Sequence, residues 1–402
     1  MEPKLSRPLT GVKVLDFTHT LGGFFSTVIL ADYGADVIKV ESPAGNVLRK
    51  DQPLIDGESA YFMGINRNKR SVVLDLKHPE GKRIAIRLAS TVDVLVNNFR
   101  TGVMDGLGLG YEALHALNPR LIYAHMTGYG STGAYKNRGA QEGQIQAISG
   151  VMSMTGDPAG PPQFCGINVA DLTSGGTLTH GIMAALYARE KTGQGQLIEV
   201  AMLDAISFML SGYSGPAYLA DGRQQQRRGV RSPFIVPYGT FEASDGALVL
   251  VGRTEKQFAQ LCRLVGKEEW LHDERFNTGA ARLQHRDELE GELGKVFRTR
   301  TRAEWVADLS AQGVPAAPVN TVGEALSDPP IRERVVIQQD HPRGGKFAAL
   351  ANPVRFSETP IDRYGPSPLF GEHTRPVLES LGYSADEIQK LQADGVVVSA
   401  PQ

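Results

Sequence analysis

The chain has few cysteines, lacks a long apolar run and carries no excess of charge of either sign. Its two cysteines among 402 residues, Cys165 and Cys262, form no CxxC motif, so neither a disulfide framework nor a zinc site is indicated. The formal net charge of -2 offers no electrostatic footprint for nucleic acid or for an anionic membrane. No apolar run approaches the ~18 residues of a membrane span, and the opening MEPKLSRPLTG lacks the apolar core of a signal peptide. These absences predict a soluble, cytoplasmic protein.

Several common catalytic motifs are also missing. The segment after the first predicted strand reads THTLGGFF rather than GxGxxG, and the glycine run at residues 106–110 comes several residues after a strand. The chain contains no GxxxxGK[ST] loop, no GxSxG elbow and no HExxH helix. Nicotinamide, nucleoside triphosphate, serine hydrolase and metal chemistry therefore lack their signatures, and we predict no metal site and no permanently bound cofactor.

Short apolar strands alternate with helical segments in the first half of the chain. The predicted strands are VKVLDF (12–17), DVIKV (36–40), SVVLDL (71–76), DVLVNNF (93–99) and LIYAHM (121–126). The first two strands, together with a Gly22-Gly23 turn, a helix and a stop at Gly34 between them, form a unit of about 30 residues, which is typical of a parallel βαβ unit. The alternation predicts an α/β fold with an open, mostly parallel, Rossmann-like sheet. The charged, glycine-containing stretch at 41–70 is predicted to be a loop.

The composition changes after residue 220. Residues 221–235 are polar and basic without apolar periodicity and indicate a linker. Residues 236–325 contain a hairpin pattern that turns at 244–246 and three helical segments, which predicts a smaller α+β middle domain. Residues 1–220 and 326–402 are then the two parts of a larger α/β domain built from both chain ends.

Residues 166–204 form the most informative stretch. The pattern predicts a strand that ends at Asp171, a small-residue turn at 173–176, a helix that ends at Gly193, and a second strand at 196–202. A carboxylate at the carboxyl end of a strand lies where α/β folds place their chemistry. The spacing alone favours a simpler interpretation, because an aspartate immediately before a helix is a common N-cap.

A series of motifs along nearly the whole chain resembles the family III CoA-transferases, the group of formyl-CoA transferase and L-carnitine CoA-transferase. The motifs are LTGVKVLDF (9–17), ADYGADVIKVE (31–41), NKRSVVLDL (68–76), NFRTG (98–102), GLGYEAL (108–114), TGQGQ (192–196) and GEHT (371–374). The resemblance implies an α/β large domain with a smaller middle domain. It also implies a homodimer whose two chains interlock, with an acyl-CoA and a free carboxylic acid as substrates.

The resemblance places the catalytic aspartate of the family at Asp171 and a second acidic residue of the site at Glu142. A carboxylate nucleophile suits CoA transfer, because its attack on an acyl-CoA gives an anhydride that keeps the activation of the thioester. Each attack builds negative charge on a carbonyl oxygen. The backbone N–H groups of Ser174, Gly175 and Gly176 are the donors that we predict for this charge.

The resemblance also implies residues that contact CoA. The predicted contacts are His19, Thr20, Leu21, Asn98 and Phe99, although His19 equally suits a turn cap and Phe99 a core position. Two departures from the formyl-CoA transferase pattern affect the phosphate contacts. Ser42 and Gly106 occupy positions that are basic in that pattern, and Arg49 is predicted to replace one of them.

Arginines in the predicted site segments are candidates for binding substrate carboxylates, because the guanidinium fork matches a carboxylate. The candidates are Arg70, Arg100 and Arg138, together with Arg228 and Arg231. Arginines in loops are mostly solvated, so this interpretation competes with a simple surface role. The arginines favour a dicarboxylic acid as acceptor and succinyl-CoA as donor.

Three other functions compete with CoA transfer. An α-methylacyl-CoA racemase or epimerase of the same superfamily carries a His-Asp pair in a GHD segment, where this chain has AQEGQ (140–144). The missing histidine favours transfer over proton exchange. A degenerate CoA-binding homologue and an acyl-CoA hydrolase are the remaining alternatives.

Overall fold

The computed structural model describes residues 6–400, which divide into two compact units. Of these residues, the larger unit contains 6–151, 165–223 and 333–400, and the smaller unit contains 152–164 and 224–332. None of the helices in this described range is long and apolar enough to span a bilayer.

The elements follow one another in the order below. Residues 6–223 form β1 (Lys13–Asp16), α1 (Leu21–Asp32), β2 (Asp36–Glu41), β3 (Leu54–Ile55), β4 (Glu58–Ser59), α2 (Ala60–Asn66), β5 (Lys69–Leu74), α3 (Pro79–Ala89), β6 (Val94–Asn97), α4 (Val103–Gly106), α5 (Tyr111–Leu117), β7 (Ile122–Thr127), α6 (Glu142–Ile148), α7 (Val151–Met154), α8 (Val169–Thr192), β8 (Leu197–Ala201), α9 (Met202–Phe208) and α10 (Ser214–Asp221). The later residues form β9 (Tyr238–Ala243), β10 (Gly246–Val251), α11 (Glu255–Leu264), α12 (Gly279–Gln284), α13 (Arg286–Phe297), α14 (Arg302–Ala311), β11 (Ala316–Pro318), α15 (Val322–Ser327), α16 (Pro329–Val335), β12 (Val336–Asp340), β13 (Lys346–Leu350), α17 (Thr374–Ser380), α18 (Ala385–Ala393) and β14 (Val397–Val398).

A seven-stranded sheet runs through the larger unit in the order β14-β5-β2-β1-β6-β7-β8. The strands from β5 to β8 in this order are parallel, and β14 pairs with β5 in the antiparallel direction. This confirms the predicted open, mostly parallel sheet with a contribution from each chain end. Counted without β14, the strands have the 3-2-1-4-5-6 order, so the winding reverses between β1 and β6. In such folds the ligand site lies beyond the carboxyl ends of the strands at this point.

Both faces of the sheet are buried. Val14 of β1 belongs to the core shared with α1 and α8, whereas Leu15 belongs to the core shared with α3, α17 and α18. Because helices cover each face, the strands are nearly continuous apolar runs rather than alternating patterns. Each large apolar side chain removed from water here contributes about 1.5–3 kcal/mol to folding.

A cluster of charges is buried where β1, β2 and β5 meet the start of α1. Asp16 accepts hydrogen bonds from Lys69 Nζ (3.1 Å), Thr18 Oγ1 (2.6 Å) and Thr27 Oγ1 (2.7 Å). Lys39 Nζ donates to the backbone oxygen of Thr18 at 2.9 Å. Burial alone raises the pKa of Asp16, but the two ammonium groups and the hydroxyls outweigh it and hold that pKa at about 2. The cluster ties the residues that precede α1 to the strands.

The smaller unit contains the antiparallel sheet β11-β10-β9 and helices α11 to α14. Its β9–β10 hairpin turns at the predicted position, where Gly246 has a φ of 138° that favours glycine. The second of the three predicted helical segments is two helices, α12 and α13, which meet at His285.

One region differs clearly from its prediction. The stretch at 41–70 is not simply a loop, because it contains β3, β4 and α2. Ser59 caps α2 by accepting the Phe62 N–H at 3.2 Å, and Phe62 and Met63 are buried. The polar residues around this short helix concealed its apolar face.

Candidate active site

Asp171 lies in the first turn of α8 rather than at the end of a strand. No strand lies directly before it, since residues 161–168 are irregular and α8 starts at Val169. The N-cap residue of α8 is Asn168, so the N-cap interpretation of Asp171 is wrong as well. The helix ends as predicted, with Gly193 in the left-handed conformation at a φ of 73°.

The Asp171 side chain is buried and contacts a second helix. The residue is 9 % exposed, and its carboxylate accepts hydrogen bonds from the Gly22 N–H in the first turn of α1 and from the Asn168 side chain. Burial, followed by the nearby charge of Glu142, raises the pKa of Asp171 to about 6, although the two hydrogen bonds oppose the rise. The carboxylate is therefore ionised at pH 7 and more basic than an ordinary aspartate.

The carboxylate of Glu142, a residue of α6, lies against the N-terminus of α8, the helix that carries Asp171. Its Oε2 accepts the Asp171 N–H at 2.7 Å, and its Oε1 accepts the Ala170 N–H at 3.0 Å. Gln146 Nε2 donates to Oε1 at 2.7 Å and so orients the carboxylate from within α6. A carboxylate at a helix N-terminus satisfies free N–H groups and interacts favourably with the helix dipole. Glu142 thus holds the backbone of Asp171 in place.

The start of α1 differs from that of α8 in the acceptors of its backbone N–H groups. Thr20 occupies its N-cap position, and the Phe24 N–H donates to the backbone oxygen of Thr20 as the first helical bond. Of the preceding N–H groups in this turn, that of Gly22 points to Asp171. A methyl group added to Gly22 would lie 3.0 Å from Asp171 Oδ1 and 2.8 Å from Met126 Cε, so a larger residue here would crowd the carboxylate. We call residues 20–23 the open start of α1 and residues 168–171 the filled start of α8.

The predicted turn at 173–176 is part of α8, which makes the prediction of its N–H groups as oxyanion donors wrong. In an α-helix these N–H groups donate to the backbone oxygens four residues earlier. Ser174 Oγ also donates to the Ala170 oxygen, and a methyl group on Gly175 would lie 2.3 Å from the Gly22 oxygen. Gly175 therefore allows α1 and α8 to pack closely, while Gly176 faces a large apolar cavity.

The other predicted CoA contacts gather at the carboxyl ends of β1 and β6, where the sheet reverses. The rings of His19 and Phe99 meet edge to face with their centres 4.1 Å apart. Burial, followed by the charge of Lys39, lowers the pKa of His19 to about 4, so the imidazole is neutral at pH 7. Asn98 and Asn46 hold the His19 backbone through bonds of 2.9 Å to its N–H and 3.0 Å to its oxygen.

Two cavities open on either side of the His19–Phe99 pair. One, of about 300 Å³, lies beyond β1, β2 and β5 and includes Lys39 and Lys77 in its wall. The other, of about 400 Å³, lies beyond β6 and β7 and includes Thr20, Met126 and three cationic side chains: Arg100, Lys136 and Arg138. Leu21 lines neither cavity and belongs to the wall of the large apolar one. The structure thus brings Arg100 and Arg138 together, as the prediction of a carboxylate site requires.

Other predicted arginines are engaged elsewhere. All three guanidinium nitrogens of Arg49 are bonded within the protein, two to Glu41 (2.8 and 2.6 Å) and one to the Pro368 oxygen (3.1 Å), so its role as a phosphate contact is not supported. Arg70 forms two bonds to Asp36 at the amino ends of β5 and β2, away from the site edge. Arg228 and Arg231 belong to the smaller unit, where Arg231 pairs with Asp287 and Glu290.

Sequence reasoning missed three neighbours of Asp171. Gly22 and Asn168 donate to its carboxylate, and Tyr61 of α2 is close enough that the Asp171 charge, after burial, contributes to raising the tyrosine pKa. The Gly-Gly pair a few residues after the first strand was the available signal for Gly22, but the pattern predicted a turn there. In the described part of the chain, no group of three or more His, Cys, Asp and Glu side chains is placed to hold a metal ion.

The site is that of an α/β protein with one buried carboxylate of raised pKa between the starts of two helices. The sequence pattern of CoA-transferase family III matches residues 9–374. The chain belongs to this family and is a CoA-transferase.

Relatives support the assignment over nearly the whole chain. The succinyl-CoA:glutarate CoA-transferase of Mus musculus is 36 % identical over 395 residues, covering 97 % of this chain and 90 % of that protein. The succinate–glutarate CoA-transferase of Agrobacterium fabrum is 36 % identical, covering 94 % of this chain and 97 % of that protein. A crystal structure of a CaiB/BaiF family protein from Brucella suis has a TM-score of 0.86 at 38 % identity and covers 93 % of this chain and 99 % of that one.

Proposed function

We propose that Asp171 is the nucleophile of this CoA-transferase and forms anhydride and aspartyl-CoA intermediates. The observation that carries the proposal is the position of its carboxylate, buried between the starts of α1 and α8 with a pKa raised to about 6. Such a group is ionised at pH 7, is more nucleophilic than an exposed aspartate, and lies where water is scarce. Dry surroundings favour transfer over hydrolysis, because anhydrides react readily with water.

The reaction takes four attacks, and its protons balance without a general base. Asp171 attacks the donor acyl-CoA, which gives a mixed anhydride and CoA thiolate. The thiolate attacks the aspartyl carbonyl, which releases the donor acid as a carboxylate and leaves aspartyl-CoA. The acceptor carboxylate then attacks this thioester and expels CoA thiolate again. The thiolate finally attacks the acceptor carbonyl, which gives the new acyl-CoA and restores the Asp171 carboxylate.

Charge develops on a carbonyl oxygen in every step. The N–H groups of the open start of α1 are the backbone donors that we assign to this charge, since the Gly22 N–H already donates to the Asp171 carboxylate. The dipole of this 12-residue helix adds a positive potential at the same end. We assign to Gly22 and Gly23 the donor role that the sequence placed on Ser174, Gly175 and Gly176.

We further propose a dicarboxylic acid pair, with succinyl-CoA as donor and glutarate or a similar acid as acceptor. The names of the relatives from mouse and Agrobacterium fabrum support this choice. Arg100, Lys136 and Arg138 support it too, because they supply positive charge in one cavity beyond the strand ends.

A panel of free acids against succinyl-CoA tests the pair. If Arg138→Ala raises KM only for dicarboxylic acceptors, the cavity binds their second carboxylate. If it raises KM for every acyl-CoA, the cavity binds the CoA phosphates.

A homodimer with interlocked chains is the assembly that we propose, as the family resemblance implies. The larger unit supports it with an apolar cavity of about 960 Å³ between α1, α2, α8 and residues 347–356, a volume suited to protein side chains from a second copy. Light scattering of the purified protein tests this. A monomer at micromolar concentration would contradict the dimer without affecting the chemistry of Asp171.

Chemical trapping tests the nucleophile. The enzyme is incubated with succinyl-CoA, and hydroxylamine is added to convert aspartyl-CoA into a hydroxamate. Peptide mass spectrometry should find the modification on Asp171. Asp171→Ala should remove both the modification and transfer while the far-UV spectrum is unchanged. Asp204→Asn is the matched control, because Asp204 is an exposed carboxylate in the first turn of α9. A modification on another residue, or normal transfer by Asp171→Ala, rules out the assignment.

A further inference from the structure

Asn98, one of the predicted CoA contacts, uses both ends of its amide within the protein. Its Oδ1 accepts the His19 N–H at 2.9 Å, and its Nδ2 donates to Thr20 Oγ1 at 2.8 Å. The His19 N–H needs an acceptor, which fixes the orientation of the amide. Asn98 follows β6 and Thr20 follows β1, so the amide bridges the two strands between which the winding reverses.

The bond to Thr20 removes a helix cap. Thr20 has the backbone conformation of an N-cap residue, with φ −127° and ψ 172°. A threonine in this position ordinarily accepts an N–H of the second or third helical residue, which here are Gly22 and Gly23. Across residues 6–400 the structure gives Thr20 no such side-chain bond, and its hydroxyl oxygen is held by Asn98 instead. The N–H groups of the open start are thereby left to other acceptors.

The position of Asp171 indicates the role of the N–H groups in the open start of α1. The Asp171 carboxylate, of a residue only 9 % exposed, lies at the open start, since a methyl group on Gly22 would be 3.0 Å from its Oδ1, and the Gly22 N–H lowers its pKa as a donor. A Thr20 hydroxyl turned toward Gly22 and Gly23 would compete with this carboxylate and with any oxyanion formed beside it.

The backbone around Thr20 has other supports. Lys39 Nζ donates to the Thr18 oxygen at 2.9 Å, and Asn46 Nδ2 donates to the His19 oxygen at 3.0 Å. The loss of Asn98 therefore leaves the chain path held from two sides. Without Asn98, the Thr20 hydroxyl is free to rotate toward another partner.

We propose that Asn98 is a positioning residue for CoA transfer, which keeps the Thr20 hydroxyl away from Gly22 and Gly23 so that their N–H groups stay available to the reacting carbonyl oxygen. It acts through Thr20 and makes no contact with the reacting atoms. The inference rests on the proposed function, because it requires that the chemistry takes place at Asp171.

A pair of variants tests the proposal with the most active acid pair from the panel. In Asn98→Leu the freed hydroxyl caps α1, so kcat should fall about tenfold to a hundredfold while KM for the acyl-CoA changes less than about threefold. The double variant Asn98→Leu/Thr20→Val has no hydroxyl to form the cap. Its kcat should exceed that of Asn98→Leu at least about fivefold. Thr20→Val alone completes the cycle.

Two results overturn the proposal. A loss in Asn98→Leu that lies in KM for the acyl-CoA, with kcat retained, makes Asn98 a CoA contact. A double variant with kcat no higher than that of Asn98→Leu makes the defect a general structural one. Wild-type transfer and the Asp171→Ala variant are measured in the same assay. A failure of the proposed function appears in those two proteins, and a failure of the positioning role appears only in the Asn98 variants.

Discussion

Two helices begin beside the Asp171 carboxylate, and their starts are treated in opposite ways. At the filled start of α8, both oxygens of Glu142 accept backbone N–H groups. At the open start of α1, the hydroxyl that would cap the helix is bound by Asn98. Every helix N-terminus offers unpaired N–H groups and a positive potential. The comparison shows that such a terminus can either fix a residue or be kept available for charge that appears only during a reaction.

The two helix starts have different roles: the start of α8 fixes the position of Asp171, and the start of α1 affects its reactivity. Glu142 holds the backbone of Asp171 and, after burial, contributes to its raised pKa. Gly22, by contrast, donates to the Asp171 carboxylate itself. Changes on the α1 side should therefore affect the chemical step, and changes on the α8 side should affect the protonation and the stability of the nucleophile.

The largest effect is expected at the open start. Gly22→Ala places a methyl group 2.8 Å from Met126 Cε and 3.0 Å from Asp171 Oδ1, which displaces the N–H donor from the carboxylate. We expect kcat to fall about 10²–10³-fold, the usual loss for one oxyanion donor. Steady-state kinetics with CoA affinity measured alongside tests this. Gly64→Ala in α2 is the control, since its methyl would meet no atom within 4 Å in the described structure. Equal kcat in both variants would remove the distinction between the two starts.

The second effect concerns stability and follows from the raised pKa of Asp171. A carboxyl group with a folded-state pKa of about 6, above its ordinary 3.8, binds its proton more tightly in the folded state. Its contribution to stability is present below about pH 4 and is lost as the pH rises through about 6. Asp171→Asn cannot ionise, so at pH 7 it should exceed the wild type by about 3 kcal/mol in free energy of unfolding.

Denaturant unfolding at pH 7 and at pH 4 measures this difference. The advantage of Asp171→Asn should shrink toward zero at the lower pH, where the wild-type carboxyl group is protonated too. A variant that is less stable than the wild type at both values would mean that the carboxylate stabilises the fold.

The third effect tests the contact between the two helices. Gly175→Ala brings a methyl group 2.3 Å from the Gly22 oxygen, a backbone atom that cannot rotate away. We expect a loss of about 1–3 kcal/mol in the free energy of unfolding. Gly176→Ala, the adjacent control, meets nothing within 4 Å among residues 6–400 and should gain up to about 1 kcal/mol from helix propensity. The same change in both variants would argue against close packing of α1 on α8.

The smallest effect is expected at the filled start. In the wild type, kcat/KM should rise with pH through about 6 as Asp171 loses its proton, and should then level off. Glu142→Gln removes the neighbouring charge, so this acid limb should move to lower pH, with kcat reduced no more than about tenfold because the amide oxygen still accepts an N–H. Glu112→Gln, at an exposed carboxylate in the first turn of α5, should leave the limb in place. A shift to higher pH would contradict the assigned role of Glu142.

The sequence was sufficient for the sheet, and it named two acidic residues, Asp171 and Glu142, that the structure brings into contact. Apolar strands such as the one around Val14 and Leu15 are buried on both faces, so their pattern is strong and local. Asp171 and Glu142 came from the family resemblance, which depends on motifs rather than on geometry. The donors next to Asp171 could not be predicted, because Gly22 and Asp171 meet only when two helices that lie far apart in the chain pack together.

The errors around Asp171 have a physical cause. The run Thr-Ser-Gly-Gly at 173–176 has weak helix propensity and suggests a turn, yet α8 passes through it. Burial of Ala170 and Leu178 against neighbouring elements outweighs the local preference. The prediction for Arg49 failed for a similar reason. Its sequence position suggested a phosphate contact, but in the fold two of its nitrogens bond to Glu41.

The antiparallel β14 strand also determines when the fold can be completed. It covers the free edge of β5 with Val397 and Val398, although more than 300 residues separate the paired strands, as the pairing of Leu74 with Val397 illustrates. During synthesis, β5 is made early and its backbone hydrogen-bonding groups stay unpaired until these late residues leave the ribosome. An uncovered edge of this kind attracts strands from other chains. The short strand β14 thus protects the β5 edge only in the completed fold, and nascent chains carry that edge uncovered.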